Sequence, residues 1–258
     1  MYNYHTHTTR CMHASGTEEE YVLQAIEAGF GLLGFSDHTP WPYEDDFVGN
    51  YHMAMNQYPD YRDTVLALKK KYEGQIQIRL GLECEYFPAY ISWLQEEKAK
   101  GALDYLIMGN HFHTTDNGGQ YQGDLNTPSL LRAGADMLIK GMETGLYMYV
   151  CHPDLVLRAY PKFDENALAA ARDICRASVA LDVPLEYNLL GVAYGKRGMH
   201  TGLGYPCGQF WEVAAQEGVT AVIGADVHRL EQLRDLTSWH EAEALLDSLG
   251  MKRMERRA

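Results

Sequence analysis

The stretch GTEEEYVLQAIEAGFGLLGFSDH (residues 16–38) contains the clearest indication of the fold class. Thr17 stands three residues before Glu20, which is the spacing of a helix-starting capping box, and Gly29 follows the last helical position. The apolar run LLGF then predicts a buried strand, which ends at the polar residues SDH (36–38). A helix followed by a buried strand is the repeating unit of proteins with parallel α/β structure.

The same unit recurs along the rest of the chain. Further helical patterns lie at residues 60–74, 91–101, 129–145, 163–182, 205–218 and from about residue 238. Further short apolar strands are predicted within residues 75–87, 104–113, 147–154, 183–190 and 219–229. Roughly seven such units favour one domain over residues 1–258 that forms a closed or nearly closed β/α barrel. An open, doubly wound sheet is the alternative.

Composition and charge narrow the classes of function. The five cysteines are scattered, odd in number and without a C-x-x-C pair, which predicts no disulfide framework and a reducing cytoplasm. The polar start MYNYHTHTTR lacks a signal-peptide core, and no apolar run approaches the ~18 residues of a membrane span. The net charge of -13 opposes nucleic-acid binding, although bound metal ions would still permit a small anionic substrate.

Histidines and carboxylates follow nearly every predicted strand. They are His5 and His7, Asp37 and His38, Glu83 and Glu85, His111 and His113, His152, Glu186, Asp226 and His228. In β/α barrels the chemistry gathers at the carboxyl ends of the strands. We therefore expect one site to which many strands contribute.

The pairs His5-Thr6-His7 and Asp226-Val227-His228 point to metal binding. Residues two apart on a strand project from the same face, so each pair can share one ion. Nitrogen and oxygen ligands together suit zinc, iron or manganese better than calcium. An H-x-H pair alone is as typical of two surface histidines, but its combination with Glu83 favours a metal site.

These motifs, in this order, resemble the polymerase-and-histidinol-phosphatase (PHP) superfamily. The segments that carry the resemblance are HTHT with the nearby His13, SDH, GLE, a histidine after a small-residue strand end, CHPD and ADVH, from residue 5 to residue 228. GLECEYFP, HPDLVLR and EYN…YP are most similar to PHP-type histidinol-phosphate phosphatases. The resemblance implies a distorted, TIM-like (β/α)7 barrel with up to three divalent ions (zinc, iron or manganese) at the carboxyl ends of the strands.

The resemblance also implies a ligand set for each ion. The first ion would be held by His5, His7, Glu83 and Asp226, the second by Glu83, His111 and His152, and the third by His13, His38 and His228. Of these residues, Asp226, His228 and Glu83 are expected to take part directly in catalysis. Asn3 departs from the family pattern, because many relatives carry an acidic residue there. The stretch GVAYGKRG replaces the more usual small-residue loop ahead of an arginine, which leaves substrate specificity open.

The expected reaction is phosphomonoester hydrolysis by a metal-activated hydroxide, with L-histidinol phosphate as the leading substrate and histidine biosynthesis as the pathway. The sequence contains neither a P-loop nor a G-x-S-x-G nucleophile elbow. The alternatives are another small phosphate ester, a phosphodiesterase or nuclease, and a non-catalytic metal-binding module. Negative charge disfavours the nuclease, and the complete ligand set disfavours the non-catalytic module. The sequence predicts no oligomeric state.

Several further side chains are candidates for substrate contact. Arg158 and Arg197 are expected to bind phosphate, although a surface salt bridge is the usual role of a lone arginine. Glu85 and His113 are expected to contact the substrate, with an exposed acid and a metal-supporting histidine as the respective alternatives. Other roles stay open. Asp37 supports the metal ligands or takes part in catalysis, and His200 has a surface or packing role or contacts the substrate. Glu186 and Asn188 are candidates for orienting a ligand, and Trp41 and Tyr43 pack in the fold or form a wall of the substrate site.

Overall fold

The computed structural model describes residues 1–45, 47 and 49–255, and the chain divides into two compact units. The first unit comprises Met1–Cys84, Pro88–Ile107 and Gly224–Thr237, and the second comprises Glu85–Phe87, Met108–Ile223 and Ser238–Ala258. Within the described ranges, no helix is long and apolar enough to cross a membrane. All five cysteines are buried and form no disulfide.

Helices and strands alternate along most of the chain. The helices are α1 (Glu18–Glu27), α2 (Tyr58–Lys71), α3 (Ile91–Ala99), α4 (Pro128–Glu143), α5 (Glu165–Leu181), α6 (Leu189–Lys196), α7 (Gly208–Glu217), α8 (Glu231–Arg234) and α9 (Thr237–Ser248). The strands are β1 (Tyr2–Asn3), β2 (Leu32–Phe35), β3 (Gln77–Cys84), β4 (Tyr105–Met108), β5 (Leu185–Asn188), β6 (Thr220–Gly224) and β7 (Lys252–Arg253). The α/β class predicted from the sequence is confirmed, whereas a closed seven-stranded barrel and a single domain stay predictions.

The sheet β1-β2-β3-β4 is the centre of the first unit. Strand β2 pairs in parallel with β1 and with β3, and all four residues of β2 are buried. The Tyr105 hydroxyl donates hydrogen bonds to the carbonyls of Tyr4 and Phe35, at 2.5 and 3.1 Å. Its ring lies against Gly34 and Gly81, where a Cβ atom would come within 2.3 and 2.5 Å of Tyr105. Glycine at both positions therefore lets one buried tyrosine tie neighbouring strands together.

The sheet β5-β6-β7 belongs to the second unit, and β6 pairs in parallel with β7. The strand predicted within residues 147–154 is wrong in extent, because only Val150 forms isolated parallel bridges, to Met108 and to Leu185. Extended pairing ends there because His152 adopts a φ of 28° and Pro153 has no N–H to donate. A 3₁₀ turn over Pro153–Leu157 follows.

Two local predictions have opposite outcomes. Helix α1 begins with the predicted capping box, because Thr17 Oγ1 accepts from the Glu20 N–H at 3.2 Å and Glu20 Oε2 accepts from the Thr17 N–H at 2.7 Å. Helix α6, by contrast, occupies most of the stretch that the sequence assigned to a loop. Asn188 Oδ1 accepts from the Gly191 N–H at 2.8 Å, so Asn188 is an N-cap that starts this helix directly after β5.

Candidate metal centre

Two short segments far apart in sequence lie side by side in the first unit and carry the two predicted ligand pairs. The His7 N–H donates to the Val227 carbonyl at 2.8 Å, and the Val227 N–H donates to the His5 carbonyl at 3.0 Å. The Asn3 amide fixes this alignment, because it accepts from the Ala225 N–H at 2.9 Å and donates to the His5 carbonyl at 2.9 Å. The pairing brings the predicted ligands from both segments to the same place.

Four of these ligands form a compact, fully buried cluster, which we call the first centre: His5, His7, Glu83 and Asp226. The Nε2 atoms of His5 and His7 lie 3.1 Å apart. Glu83 Oε2 lies 3.4 Å from each of these nitrogens. Asp226 Oδ1 lies 3.4 Å from His5 Nε2 and 3.2 Å from His7 Nε2. The structure thus brings all four residues of the predicted first ligand set together.

These separations fit the chemistry of a bound transition-metal ion. Four atoms at tetrahedral corners, each about 2.0–2.1 Å from one zinc ion, would lie roughly 3.3 Å from one another. The five separations given above range from 3.1 to 3.4 Å. Two imidazole nitrogens and two carboxylate oxygens are also a donor set that zinc, iron and manganese accept.

The pKa values of His7 and Asp226 also indicate that the first centre favours a positive charge. Burial opposes the charge on His7, but its hydrogen bonds to Asp226 and Asp37 and the charge of Glu83 raise the pKa of His7 to about 9. Burial likewise works against the Asp226 carboxylate, yet His5 and the other neighbouring histidines hold its pKa well below the usual range. A proton retained on His7 therefore supplies the positive charge that a metal ion would bring.

Asp37 supports the first centre from behind. Its carboxylate is fully buried, lies 3.4 Å from His7 Nδ1, and accepts from the backbone N–H groups of His38 at 2.9 Å and Thr8 at 3.2 Å. It also accepts from the Thr8 hydroxyl in a short contact. A carboxylate on the far nitrogen of a ligating histidine fixes the tautomer and the orientation of that ring. Of the two open roles for Asp37, the contacts favour support of the metal ligands.

Three further histidines surround His7. The His7 ring is stacked on that of His228 at 4.1 Å between centroids and lies 4.4 Å from the His38 ring. The His13 ring lies 4.6 Å from His228 and 5.6 Å from His38, and His38 Nδ1 lies 3.0 Å from Glu83 Oε2. Burial and then the charge of His7 lower the pKa of His228 to about 3, so its ring is neutral and its lone pair is free of a proton. The predicted third ligand set is therefore grouped in space.

Two predicted ligands have unusual backbone conformations. Asp226 has a φ of 48° and His152 a φ of 28°, in the region that favours glycine. Such conformations cost about 1–3 kcal/mol each and are concentrated at functional sites. Asp226 comes two residues after the end of β6 and His152 comes two residues after the bridge at Val150, so each side chain points in a direction that an extended backbone would not give it.

The second unit contains two more of the predicted ligands. The rings of His111 and His152 lie 4.7 Å apart between centroids. Glu85 is buried and accepts from His111 Nδ1 at 2.6 Å and from the His111 N–H at 2.8 Å. Glu85 therefore orients the His111 ring through Nδ1, and metal binding by Nε2 of that ring stays a prediction. Its predicted contact with substrate stays a prediction.

The predicted substrate residues of the second unit are held in different ways. Arg158 donates to Asp124 Oδ1 at 3.1 Å and to the Gly123 carbonyl at 3.2 Å, so phosphate binding would have to compete with an ion pair. Arg197 is exposed at the end of α6, and His113 is half-buried with its N–H on the Gln120 carbonyl at 2.9 Å. Their substrate contacts stay predictions.

Three other roles were left open by the sequence, two in the second unit and one in the first. His200 Nε2 lies 3.2 Å from the Gly191 carbonyl, and Glu186 accepts from the Asn188 amide at 2.7 Å. Trp41 is buried, with its ring 5.9 Å from that of Tyr90, and the Tyr43 ring lies 5.3 Å from that of Tyr90. The contacts of Trp41 and Tyr43 favour packing over a substrate wall.

Sequence reasoning missed what Asn3 and Cys11 contribute. Asn3 was noted only as a departure from the family pattern, and its partner Ala225 lies 222 residues away. Cys11 is buried, and its sulfur lies within 4.8 Å of ring nitrogens of His13 and His228. Burial and the charge of Asp37 raise the pKa of the Cys11 thiol to about 12. The only signal for Cys11 in the sequence is its position two residues before His13.

Comparison with known proteins identifies the family. The PHP domain model matches residues 3–189. A Deinococcus radiodurans protein named "Probable histidinol-phosphatase" is 27% identical over 87% of this chain and 85% of its own length, and one of the same name from Schizosaccharomyces pombe is 25% identical over 96% and 86%. The structure of Lactococcus lactis histidinol phosphate phosphatase with zinc, L-histidinol and phosphate has a TM-score of 0.73 at 20% identity, over 98% of this chain and 95% of that one. These findings support a metal-dependent phosphomonoesterase, and the chain belongs to the PHP domain family.

Proposed function

We propose that this chain hydrolyses L-histidinol phosphate to L-histidinol and phosphate with the help of bound divalent metal ions. The observation that carries the proposal is the convergence of four buried ligand atoms in the first centre at separations of 3.1–3.4 Å. Relatives named histidinol-phosphatase support the substrate, because they match most of this chain. The same reaction would belong to histidine biosynthesis in a reducing cytoplasm, which five scattered cysteines that form no disulfide favour.

The proposal includes up to three ions, each zinc, iron or manganese, on a distorted (β/α)7 barrel. The ligand sets are those that the family resemblance implies: His5, His7, Glu83 and Asp226; Glu83, His111 and His152; His13, His38 and His228. The grouping of His13, His38 and His228 around His7 supports the third set. The contact of Glu85 with His111 supports a ligand role for that histidine.

Bound divalent ions supply two things: they lower the pKa of water, and they offset the negative charge of the phosphate oxygens. The residues of the chain do the rest. Glu83, Asp226 and His228 set the charge around the reacting phosphate group. Asp37 keeps the His7 ring in one orientation. Burial of the first centre excludes bulk water, which strengthens each of these electrostatic interactions.

Substrate recognition in the proposal falls to Arg158, Arg197, Glu85 and His113. A guanidinium group can bind two phosphate oxygens at once, and this geometry is the reason for assigning Arg158 and Arg197 to the phosphate. A carboxylate and an imidazole suit the amino and imidazole groups of L-histidinol. Glu85 already accepts a hydrogen bond from His111. A substrate contact would therefore use the lone pairs of the Glu85 carboxylate that His111 does not occupy.

The test is phosphate release by the purified protein after metal removal and after reconstitution with zinc, iron or manganese. The substrate panel contains L-histidinol phosphate, sugar phosphates, a nucleotide and a phosphodiester. We expect selective, metal-dependent turnover of L-histidinol phosphate. Faster turnover of another monoester would overturn the substrate and keep the reaction, and activity confined to the phosphodiester would overturn both. Tight metal binding without turnover of any ester would favour a non-catalytic module.

A further inference from the structure

The short segment between His7 and His13 contains one cysteine, Cys11, whose side chain is buried. A 3₁₀ turn over Thr9–Cys11 follows His7 and Thr8, and the Cys11 N–H donates to the Thr8 carbonyl at 3.1 Å. Met12 then adopts a left-handed conformation with a φ of 66°. This tight reversal buries the Cys11 side chain completely while it exposes Met12. The left-handed conformation of Met12 thus allows Cys11 and His13 to lie close together.

The Cys11 sulfur and one ring nitrogen each of His13 and His228 all lie within 4.8 Å of one another. The His13 Nδ1 lies 2.6 Å from the Cys11 carbonyl. Since a carbonyl only accepts hydrogen bonds, this contact places the proton of a neutral His13 on Nδ1 and the lone pair on Nε2. The contact therefore orients His13 as a ligand through Nε2.

The His228 side chain, which belongs to the same group, is 91% buried. Its Nε2 atom is also buried, and it has no hydrogen-bond partner among the residues that the structure describes. Its Nδ1 atom, in contrast, is engaged by the Asp226 carbonyl at 3.1 Å. A buried ring nitrogen without a partner is costly, and a bound cation would satisfy it.

We propose that Cys11 is a thiolate ligand of the ion held by His13 and His228, which makes this position a mixed sulfur and nitrogen site. The inference rests on the proposed function, because it concerns an ion of the same metal cluster. When the metal–sulfur bond forms, the S–H bond breaks and its proton passes to solvent, with no change in oxidation state. A thiolate favours zinc or cobalt over the harder manganese and magnesium ions. Cys11 therefore sets which metal this position selects.

The test uses cobalt(II) as a spectroscopic replacement for zinc. The protein is stripped of metal, reconstituted with cobalt and measured in the near ultraviolet, where a thiolate bound to cobalt gives an intense charge-transfer band. We expect the band in the native protein, its loss in Cys11→Ser, and its retention in Cys175→Ser. Cys175 is a matched control, because it is equally buried but lies on α5 of the second unit.

The outcomes separate this inference from the proposed function. Cobalt uptake with phosphate release but without the band would overturn the role of Cys11 and leave the phosphatase intact. A band that persists in Cys11→Ser would also overturn it, because the sulfur would come from another cysteine. Failure both to bind cobalt and to hydrolyse any ester would overturn both proposals, whereas the band without hydrolysis would overturn only the proposed function.

A second measurement needs no variant, so it stands even if Cys11→Ser fails to fold. X-ray absorption at the zinc edge of the reconstituted native protein should show a sulfur neighbour at about 2.3 Å in addition to nitrogen and oxygen. A shell of nitrogen and oxygen alone would overturn the inference. We also expect Cys11→Ser to lose preference for zinc over manganese in competitive loading, while Cys175→Ser keeps the native preference.

Discussion

The first centre and the surroundings of Asp154 are both buried polar clusters, but they are built on opposite principles. In the second unit, Asp154 Oδ2 accepts from the Cys207 N–H at 2.6 Å and from Trp211 Nε1 at 3.1 Å. Each of these contacts joins a donor to an acceptor, although the other oxygen, Asp154 Oδ1, is buried without a hydrogen-bond partner among the described residues. In the first centre, the Nε2 atoms of His5 and His7 face one another at 3.1 Å, and carboxylate oxygens complete the group.

The pairing of polar atoms distinguishes a structural network from a binding site. A buried network that stabilises a fold pairs its donors with acceptors from the protein itself. The first centre gathers electron-pair donors around a common point, an arrangement that becomes favourable only when a cation or a proton occupies that point. We therefore expect substitutions in the first centre to affect metal binding and activity, and substitutions at Asp154 to affect stability.

The largest effect is expected for His7→Ala. Because loss of a group behind a metal ligand already costs about 10–100-fold in affinity or activity, loss of the ligand itself should cost more than ~100-fold in kcat/KM. Metal content measured by mass spectrometry should fall in parallel. His240→Ala is the matched control, because His240 is an exposed histidine on α9. Full metal content and activity in His7→Ala would refute the first centre as a metal site.

A smaller effect is expected for Asp37→Asn. The amide retains an oxygen to accept from the His38 N–H, but it lacks the negative charge that holds the His7 ring. We expect metal affinity to fall about 10–100-fold, with a loss of stability as well, because the new amide nitrogen would face the Thr8 N–H. Competitive titration against a chelator of known affinity measures this change. Asp154→Asn is the comparison, and an equal fall in metal affinity there would erase the distinction between the two clusters.

Asp154→Ala is expected to reduce stability rather than metal affinity. It removes the acceptor for two buried donors, the Cys207 N–H and Trp211 Nε1, and leaves both without that partner. A cost of about 1–3 kcal/mol in the free energy of unfolding follows from such a loss. Urea denaturation of the metal-free variant measures it, and Asp154→Asn, which keeps one acceptor oxygen, should lose less. An unchanged midpoint in Asp154→Ala would contradict the structural role.

The same contrast explains what the sequence could predict. Local signals were sufficient where neighbours in sequence interact, as in the capping box of Thr17 and Glu20. The grouping of strand-end residues such as His5 and Asp226 could be predicted, because parallel strands end at the same edge of a sheet. Helix α6 was missed because its N-cap, Asn188, also fits the end of a strand.

What the sequence could not supply is pairing over long distances in the chain. The amide of Asn3 holds Ala225 in place across 222 residues, and no local pattern announces that contact. The burial of Cys11 depends on a left-handed Met12, which is a rare conformation for a residue other than glycine. The tertiary structure therefore determines which polar residues meet, while the sequence determines which chemistry is available to them.

The smallest effect is expected where a polar contact is close but exposed. Lys196 Nζ lies 2.7 Å from Glu241 Oε2, closer than the 3.1–3.4 Å separations of the first centre, yet both side chains are more than half exposed. Water screens this pair, so Lys196→Ala should change the free energy of unfolding by less than ~1 kcal/mol and leave metal content unchanged. Urea denaturation and metal analysis of the same sample check both statements. A larger loss of stability would mean that distance outweighs burial in this protein, and the contrast between the first centre and the Asp154 network would then need another cause.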